Sequence, residues 1–189
     1  MKLSVLIPAI PERLNKAKVL YDRLEHQIGD KDVEVLLFMD NMKRTIGEKR
    51  NDLKNLVNSE YFGFVDDDDN ISDDYIDEIL KAIEKKPDVV TFKQQSSING
   101  KPFIVTFGLE NENEPAQGDD KGGYVDVKRK PFHVCIWKTS LVQVIKFPSK
   151  QYGEDWDWAK FACERSKKEI HIDKILHYYN WDAKETRAI

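Results

Sequence analysis

The stretch Phe64-Val65-Asp66-Asp67-Asp68-Asp69-Asn70 closes an aromatic, apolar run, Tyr61-Phe62-Gly63-Phe64-Val65, and precedes Ser72, a residue type suited to an N-cap. Beyond it Ile76, Ile79, Leu80 and Ile83 recur at helical spacing. Four carboxylates therefore stand where a buried strand ends and a helix begins. Packed like charges repel, and each resists burial unless something positive lies nearby. Two readings are open from the run alone. One is a solvated acidic turn. The other is a site for an oxygen-seeking divalent cation, Mn2+ or Mg2+, with coordination positions left for a phosphate.

Working outward, Leu3-Ser4-Val5-Leu6-Ile7 is a short β-branched run closed by Pro8, which reads as a strand. Residues 13–28 carry Ala17, Leu20, Tyr21, Leu24 and Ile28 at helical spacing, with Gly29 as the stop. Residues 33–39 are almost continuously apolar and end at Asp40; 47–57 read as a helix, 61–65 as a third strand and 72–85 as a helix that Pro87 ends. A fourth strand follows over 88–92. Short connections and near-continuous apolar strands predict a mostly parallel α/β sheet with helices on both faces. The second half reads differently. A turn at Asn99-Gly100 leads to a hairpin strand over 103–107, and 110–123 is acidic, poor in apolar residues and expected to be a mobile loop. A strand is expected over 133–137, and a helix opens at Gly153-Glu154-Asp155 carrying Trp158, Phe161, Ala162 and Arg165. Two short strands, 170–172 and 175–179, come last. There are no internal repeats, and one domain over 1–189 is expected.

The 189 residues suffice for one domain with a real core. Against 30 Lys and Arg stand 34 Asp and Glu, a net charge of −4, so there is no global basic footprint for nucleic acid. Cys135 and Cys163 lack CxxC spacing and read as free buried thiols in a reducing compartment. The N-terminal apolar run is too short for a signal segment, and no run reaches transmembrane length. A cytoplasmic protein is expected.

In open α/β sheets, ligands bind outside the carboxyl ends of the strands. Pro8-Ala9-Ile10-Pro11, Asp40-Asn41 and the acidic run all fall there, and this convergence favours the cation site over the solvated turn. Gly47-Glu48-Lys49-Arg50-Asn51 lies between them. Two cations at a helix start suit a diphosphate, although an ordinary solvated basic turn has the same pattern.

These landmarks in order, with Gly153-Glu154-Asp155 after them, resemble family-2-type glycosyltransferases with the GT-A (Rossmann-like) fold. The resemblance covers roughly residues 3–165. It implies a nucleotide-sugar-binding half over 1–95 and an acceptor half, with a small antiparallel portion, over 96–189. It implies a nucleotide pocket opened by Pro8 and Ala9, with Asp40 at the base and Lys49 and Arg50 beside the nucleotide. A DXD-type frame at Asp66 and Asp68 would hold Mn2+ or Mg2+ and the donor diphosphate. Asp67 would lie at the donor, Asp69 is a further metal candidate, and the register within four consecutive Asp stays open. Asp155 would be the general base with Glu154 beside it, and the reaction would invert the anomeric carbon. His177 is a candidate metal ligand by analogy with some GT-A enzymes; a structural His is the competing reading. The donor implied is a nucleotide-diphosphate sugar, a UDP-sugar first, and the acceptor a glycan, a lipid-linked saccharide or another hydroxyl, a nucleic-acid base among them.

The resemblance is incomplete. Where the family often has a polar Thr-Tyr-Asn stretch, this chain has Ala9-Ile10-Pro11-Glu12. The acceptor half is short and no membrane helix follows, which counts against a processive polysaccharide synthase. Trp156 and His133 are the acceptor-site candidates, whereas Trp158 reads as core. Lys128-Arg129-Lys130 is a local basic cluster that could meet an acidic acceptor, but it reads more simply as a solvated loop. A sugar nucleotidyltransferase would want a Gly-rich basic loop after the first strand, and none is present. An EF-hand fails at Ile71, where Gly is needed. A non-catalytic sugar-nucleotide or glycan binding module is the rival from another class, and the intact Glu154-Asp155 pair counts against it.

Overall fold

The computed structural model describes residues 1–182; the expected domain limit at 189 lies outside them. Strand β1 (Leu3–Ala9) is buried on both faces because its side chains alternate: Leu3, Val5 and Ile7 join one apolar cluster, Leu6 the other. A 3-10 turn over Pro11–Arg13 feeds α1 (Leu14–Ile28), which buries Ala17, Leu20, Leu24 and Ile28 and stops at Gly29. With φ of 52°, Gly29 holds a backbone conformation that β-carbons disfavour. Strand β2 (Val33–Met39) and β3 (Tyr61–Phe64) flank β1, both parallel to it. Between them α2 (Ile46–Leu56) begins on a capping box: Thr45 Oγ1 accepts from the Glu48 N–H, and the Glu48 carboxylate accepts from the Thr45 N–H.

The chain continues through β4 (Asn70–Ile71), α3 (Tyr75–Ile83), β5 (Val89–Ile98), β6 (Lys101–Phe107), β7 (Val127–Arg129) and β8 (Ile136–Lys138). It ends with α4 (Thr139–Val142), α5 (Glu154–Arg165) and β9 (Glu169–Trp181). The sheet order is β2-β1-β3-β8-β5-β6-β7, with β9 beside β5 and β4. The β2-β1-β3 part is parallel; β8 enters antiparallel to β3 and β5, and β5-β6 is the expected hairpin. Helices cover both faces. α1 and α3 pack on the cluster of Leu3, Val5 and Ile7, while Leu53 of α2 and Trp158 of α5 pack on that of Leu6, Phe62 and Phe64. This is the α/β arrangement that the strand–helix alternation predicts.

Three boundaries differ from the sequence reading. Ser72 does not cap α3: its N–H is taken by the Leu176 carbonyl and its hydroxyl donates to Asp74 Oδ1 at 2.7 Å, because β4 first pairs with β9. The strand expected over 133–137 starts only at Ile136. Phe132 O accepts both the Cys135 N–H and the Trp137 indole N–H, and the turn this closes aims His133 inward. The two late strands are one, β9, with an irregularity between Ile172 and Ile175 against β5. Cys135 and Cys163 are free thiols, as expected.

Gly47 sets the seat of α2. A β-carbon there would collide with the Pro148 carbonyl and touch Glu154 Cβ at 3.4 Å, so the helix that carries Lys49 and Arg50 rests directly on the approach to α5. Gly47→Ala should therefore destabilise by about 1–3 kcal/mol through overpacking. Gly118→Ala, whose nearest neighbour would be 3.7 Å away, should leave thermal denaturation nearly unchanged.

Candidate active site

The carboxyl ends of β1 and β3, the start of α5 and the ends of β7 and β9 enclose one open cavity of about 820 Å³. Arg50, 3% exposed, stands at its floor. Its Nη2 donates to both Asp66 oxygens at 2.8 Å, its Nη1 donates to Glu154 Oε1, and His133 Nε2 lies 3.0 Å away. The guanidinium also lies over the Phe64 and Phe147 rings, 5.7 and 5.9 Å from their centroids. Burial alone would raise the Asp66 carboxyl, but Arg50 and His133 outweigh it and hold Asp66 well below the usual range.

His133 connects the two carboxylates of interest. Its Nε2 is 3.7 Å from Asp66 Oδ2, and its Nδ1 is 3.3 Å from Asp155 Oδ2 without the direction of a hydrogen bond. Burial and Arg50 oppose its protonation, yet the two flanking carboxylates raise its pKa. Burial would likewise raise Asp155; His133, Arg50 and the Trp156 N–H prevail and hold it at about 2. Asp155 faces the cavity as an ionised carboxylate. Glu154 does not: it is 3% exposed, locked to Arg50, and raised by burial despite that partner.

The acidic run divides by role. Asp67 is buried, accepts from the Ile10 N–H at 2.9 Å and from Arg13 at 3.1 Å, and so ties the loop after β1 to that after β3. Arg13 also pairs with Asp68 at 3.0 Å. Burial and then Asp69 push Asp68 up to about 7, with Arg13 only partly opposing them. The Ile71–His177 pairing of β4 with β9 sets Asp69 beside His177, with Oδ2 to Nε2 at 3.3 Å. His177 is fully buried, and neither ring nitrogen has a hydrogen-bond partner. Burial raises Asp69, and His177 only partly offsets it. Among the described residues no three His, Cys, Asp or Glu side chains are grouped to hold a metal ion. Asp69 and His177 are the pair with the chemistry to begin one.

At the β1–β2 end, Pro8 lines the cavity, whereas Ala9 is fully buried and contributes its carbonyl, which accepts from Lys49 Nζ at 2.8 Å. Lys49 also pairs with Asp40 at 2.7 Å. Asp40 Oδ2 has no partner, although it is buried. Lys49 and Arg50 are thus framework cations, not the solvent-facing diphosphate grips that a helix start suggests. Trp156, 49% exposed, lies against Phe132 with centroids 5.6 Å apart and lines the cavity. Trp158 is core, stacked on Phe147 at 4.7 Å. The 110–123 segment is mostly exposed but anchored at its start: Asn113 and Glu114 side chains accept from the Lys130 and Lys128 N–H groups.

Arg13, Phe132 and Tyr179 also line the site or hold it, and the sequence reading assigned them no role; Arg129, read as part of a solvated loop, lines it too. The turn-helix start and the basic loop gave no sign of which way Arg13 and Arg129 point.

No family model matches the chain, and no curated protein matches it. Among solved structures it is similar to S. aureus TarS 1–349 in complex with UDP-GlcNAc, at 20% identity and TM-score 0.72 over 96% of this chain and 59% of that one. The same protein with UDP matches at 18% identity and TM-score 0.69, over 100% of this chain and 63% of that one. The bifunctional IspDF of Campylobacter jejuni matches at 12% identity and TM-score 0.52, over 92% and 50%. This chain thus spans less than two thirds of the TarS 1–349 chains it matches. The likeness establishes a GT-A-like fold. No helix among the described residues is long and apolar enough to cross a membrane.

The raised carboxyls make stability depend on pH in a definite direction. Asp68 holds its proton in the folded chain up to about pH 7, and in the unfolded chain only up to about pH 4. The folded state therefore binds more protons between those values, and stability falls as pH rises through the window. Asp67 and Asp69, also raised, act in the same direction. In EDTA the wild type should melt at a lower temperature at neutral pH than in mild acid, and Asp68→Asn should reduce the difference. An Asp68→Asn protein with the full wild-type pH dependence would refute this source.

Proposed function

We propose that the chain is a metal-dependent, inverting glycosyltransferase that moves a sugar from a nucleoside-diphosphate sugar, a UDP-sugar, to an acceptor hydroxyl. The observation that carries this reading is that an ionised carboxylate, Asp155, and the acidic run after β3 face one cavity, linked through His133. The fold supports it: TarS, a glycosyltransferase of the same fold, binds UDP-GlcNAc.

Asp69 and His177 have the donor chemistry to begin a divalent-cation site, and a third ligand would have to be brought to them. His177 has two buried nitrogens outside hydrogen-bond geometry, Asp69 Oδ2 lies 3.3 Å from one of them, and Asp68 carries a carboxyl that burial raises and Arg13 only partly opposes. Asp69 and His177, with Asp68, would hold Mn2+ or Mg2+, which when bound neutralises charge on a diphosphate leaving group. The nucleotide would enter beside Pro8 and the Asp40–Lys49 pair.

In the transfer, the acceptor hydroxyl oxygen attacks the anomeric carbon. The bond from that carbon to the diphosphate oxygen breaks, and its electron pair leaves with the nucleoside diphosphate. Asp155 takes the hydroxyl proton as the new bond forms. A single base and no nucleophile among the proposed roles accord with inversion. Arg50 and His133 fix the position and charge of that base, and Glu154, whose carboxylate is committed to Arg50, is a positioning residue. Trp156 and Phe132 offer an aromatic wall to the apolar face of a sugar.

Asp155→Asn keeps the shape and removes the base. It should lower kcat by about 10²–10⁴ while leaving UDP affinity in Mn2+ nearly unchanged, read by UDP release from a panel of UDP-sugars with acceptors and by calorimetry. Unaltered transfer in Asp155→Asn would place the base elsewhere. A wild type that binds the nucleotide and transfers nothing would favour a binding module.

A further inference from the structure

Five cationic side chains line the cavity: Arg13, Arg44, Lys49, Arg50 and Arg129. Four are matched by carboxylates within ion-pair distance: Arg13 with Asp67 and Asp68, Arg44 with Asp52, Lys49 with Asp40, and Arg50 with Asp66 and Glu154. Arg129 is the exception. Among the described residues no carboxylate lies within 4.0 Å of its guanidinium nitrogens. Its Nε donates to the Glu114 backbone carbonyl at 2.9 Å, which fixes the side chain but supplies no countercharge. The Glu114 carboxylate is itself turned to the Lys128 N–H. Arg129 is half-buried, and burial lowers its pKa. A half-buried guanidinium held in place, facing a cavity and lacking a countercharge, is what a bound anion completes.

Its place in the fold says which ligand it serves. β7 is the sheet edge opposite β2, whereas the nucleotide pocket proposed above lies at the β2-β1-β3 ends. Arg129 pairs with Phe107 across β6 and β7, and from Phe107 an aromatic row runs through Phe132, 6.0 Å away, to Trp156, 5.6 Å further on. Tyr179, from β9, lines the same cavity as Arg129 and the acidic run. An acceptor reaching Asp155 past the Trp156–Phe132 wall would continue toward Arg129.

We infer that Arg129 is the anion-binding element of an acceptor subsite, and that the acceptor is a saccharide carrying a phosphate or a carboxylate. The inference rests on the glycosyltransferase reading for the word acceptor; the anion preference does not. The probes are glucose, glucose 6-phosphate and glucuronate, titrated calorimetrically into the protein with UDP and Mn2+ present. For the wild type, one or both charged sugars should bind about 10- to 100-fold tighter than glucose, the worth of a charge-assisted contact. Arg129→Gln should close that gap and leave UDP affinity unchanged, while Arg129→Lys, which keeps the charge, should retain part of it. Preference for the phosphate identifies a phosphorylated acceptor, and preference for glucuronate a uronate-type one. No preference by the wild type, including no binding of any probe, would overturn the inference. So would a preference that survives in Arg129→Gln, or a loss of UDP affinity there, which would give the guanidinium to the donor. UDP that fails to bind any of the three proteins would instead sink the glycosyltransferase reading.

Discussion

The buried guanidinium of Arg50 is the contact on which the site depends. It is one cation from α2, held by Asp66 at the end of β3, by Glu154 at the start of α5 and against His133 in the turn before β8. Elements from both halves of the chain are thereby fixed to one point. A cation buried this deeply persists only because carboxylates on two sides and two aromatic faces replace its water. Removing one carboxylate would leave the other to balance the cation; removing both would leave an uncompensated buried charge, an effect of about 3–5 kcal/mol. The small residue that lets α2 approach is Gly47, seated against Pro148 one turn before Arg50.

From that point the charges in the cavity sort themselves. Arg50 and His133 keep Asp66 and Asp155 ionised, while Asp67, Asp68 and Asp69 are raised because burial and mutual repulsion exceed what Arg13 and His177 return. One end of the site thus crowds acidic groups with raised pKa values around His177; the opposite edge carries Arg129, which no carboxylate among the described residues matches. Such an imbalance is a poor way to stabilise a fold and a reasonable way to prepare for ligands of both signs.

Much of this was readable from sequence, for identifiable reasons. The strands of the first half are apolar on both faces, so run length located β1, β2 and β3 to within a residue or two. The acidic run, Asp40 and Glu154-Asp155 were recognisable because charge at the end of an apolar strand, or at a helix start beside aromatics, has few structural uses. What local pattern could not supply was direction. Lys49 and Arg50 read as outward helix-start cations and turn inward, and Arg129 reads as part of a solvated loop and lines the cavity. Ser72 has the chemistry of a cap but is claimed by a strand pairing with β9, a contact a hundred residues distant. The Thr45-x-x-Glu48 box was a local signal available in the sequence, and it would have placed the start of α2 one residue earlier.

Nucleotide binding is expected to depend on a divalent ion held by the acidic run and His177. Calorimetric titration of UDP into the wild-type protein, once with Mn2+ and once with EDTA, tests it most directly. The account predicts tight binding with Mn2+ and little or none with EDTA. Equal affinity in the two conditions would contradict it.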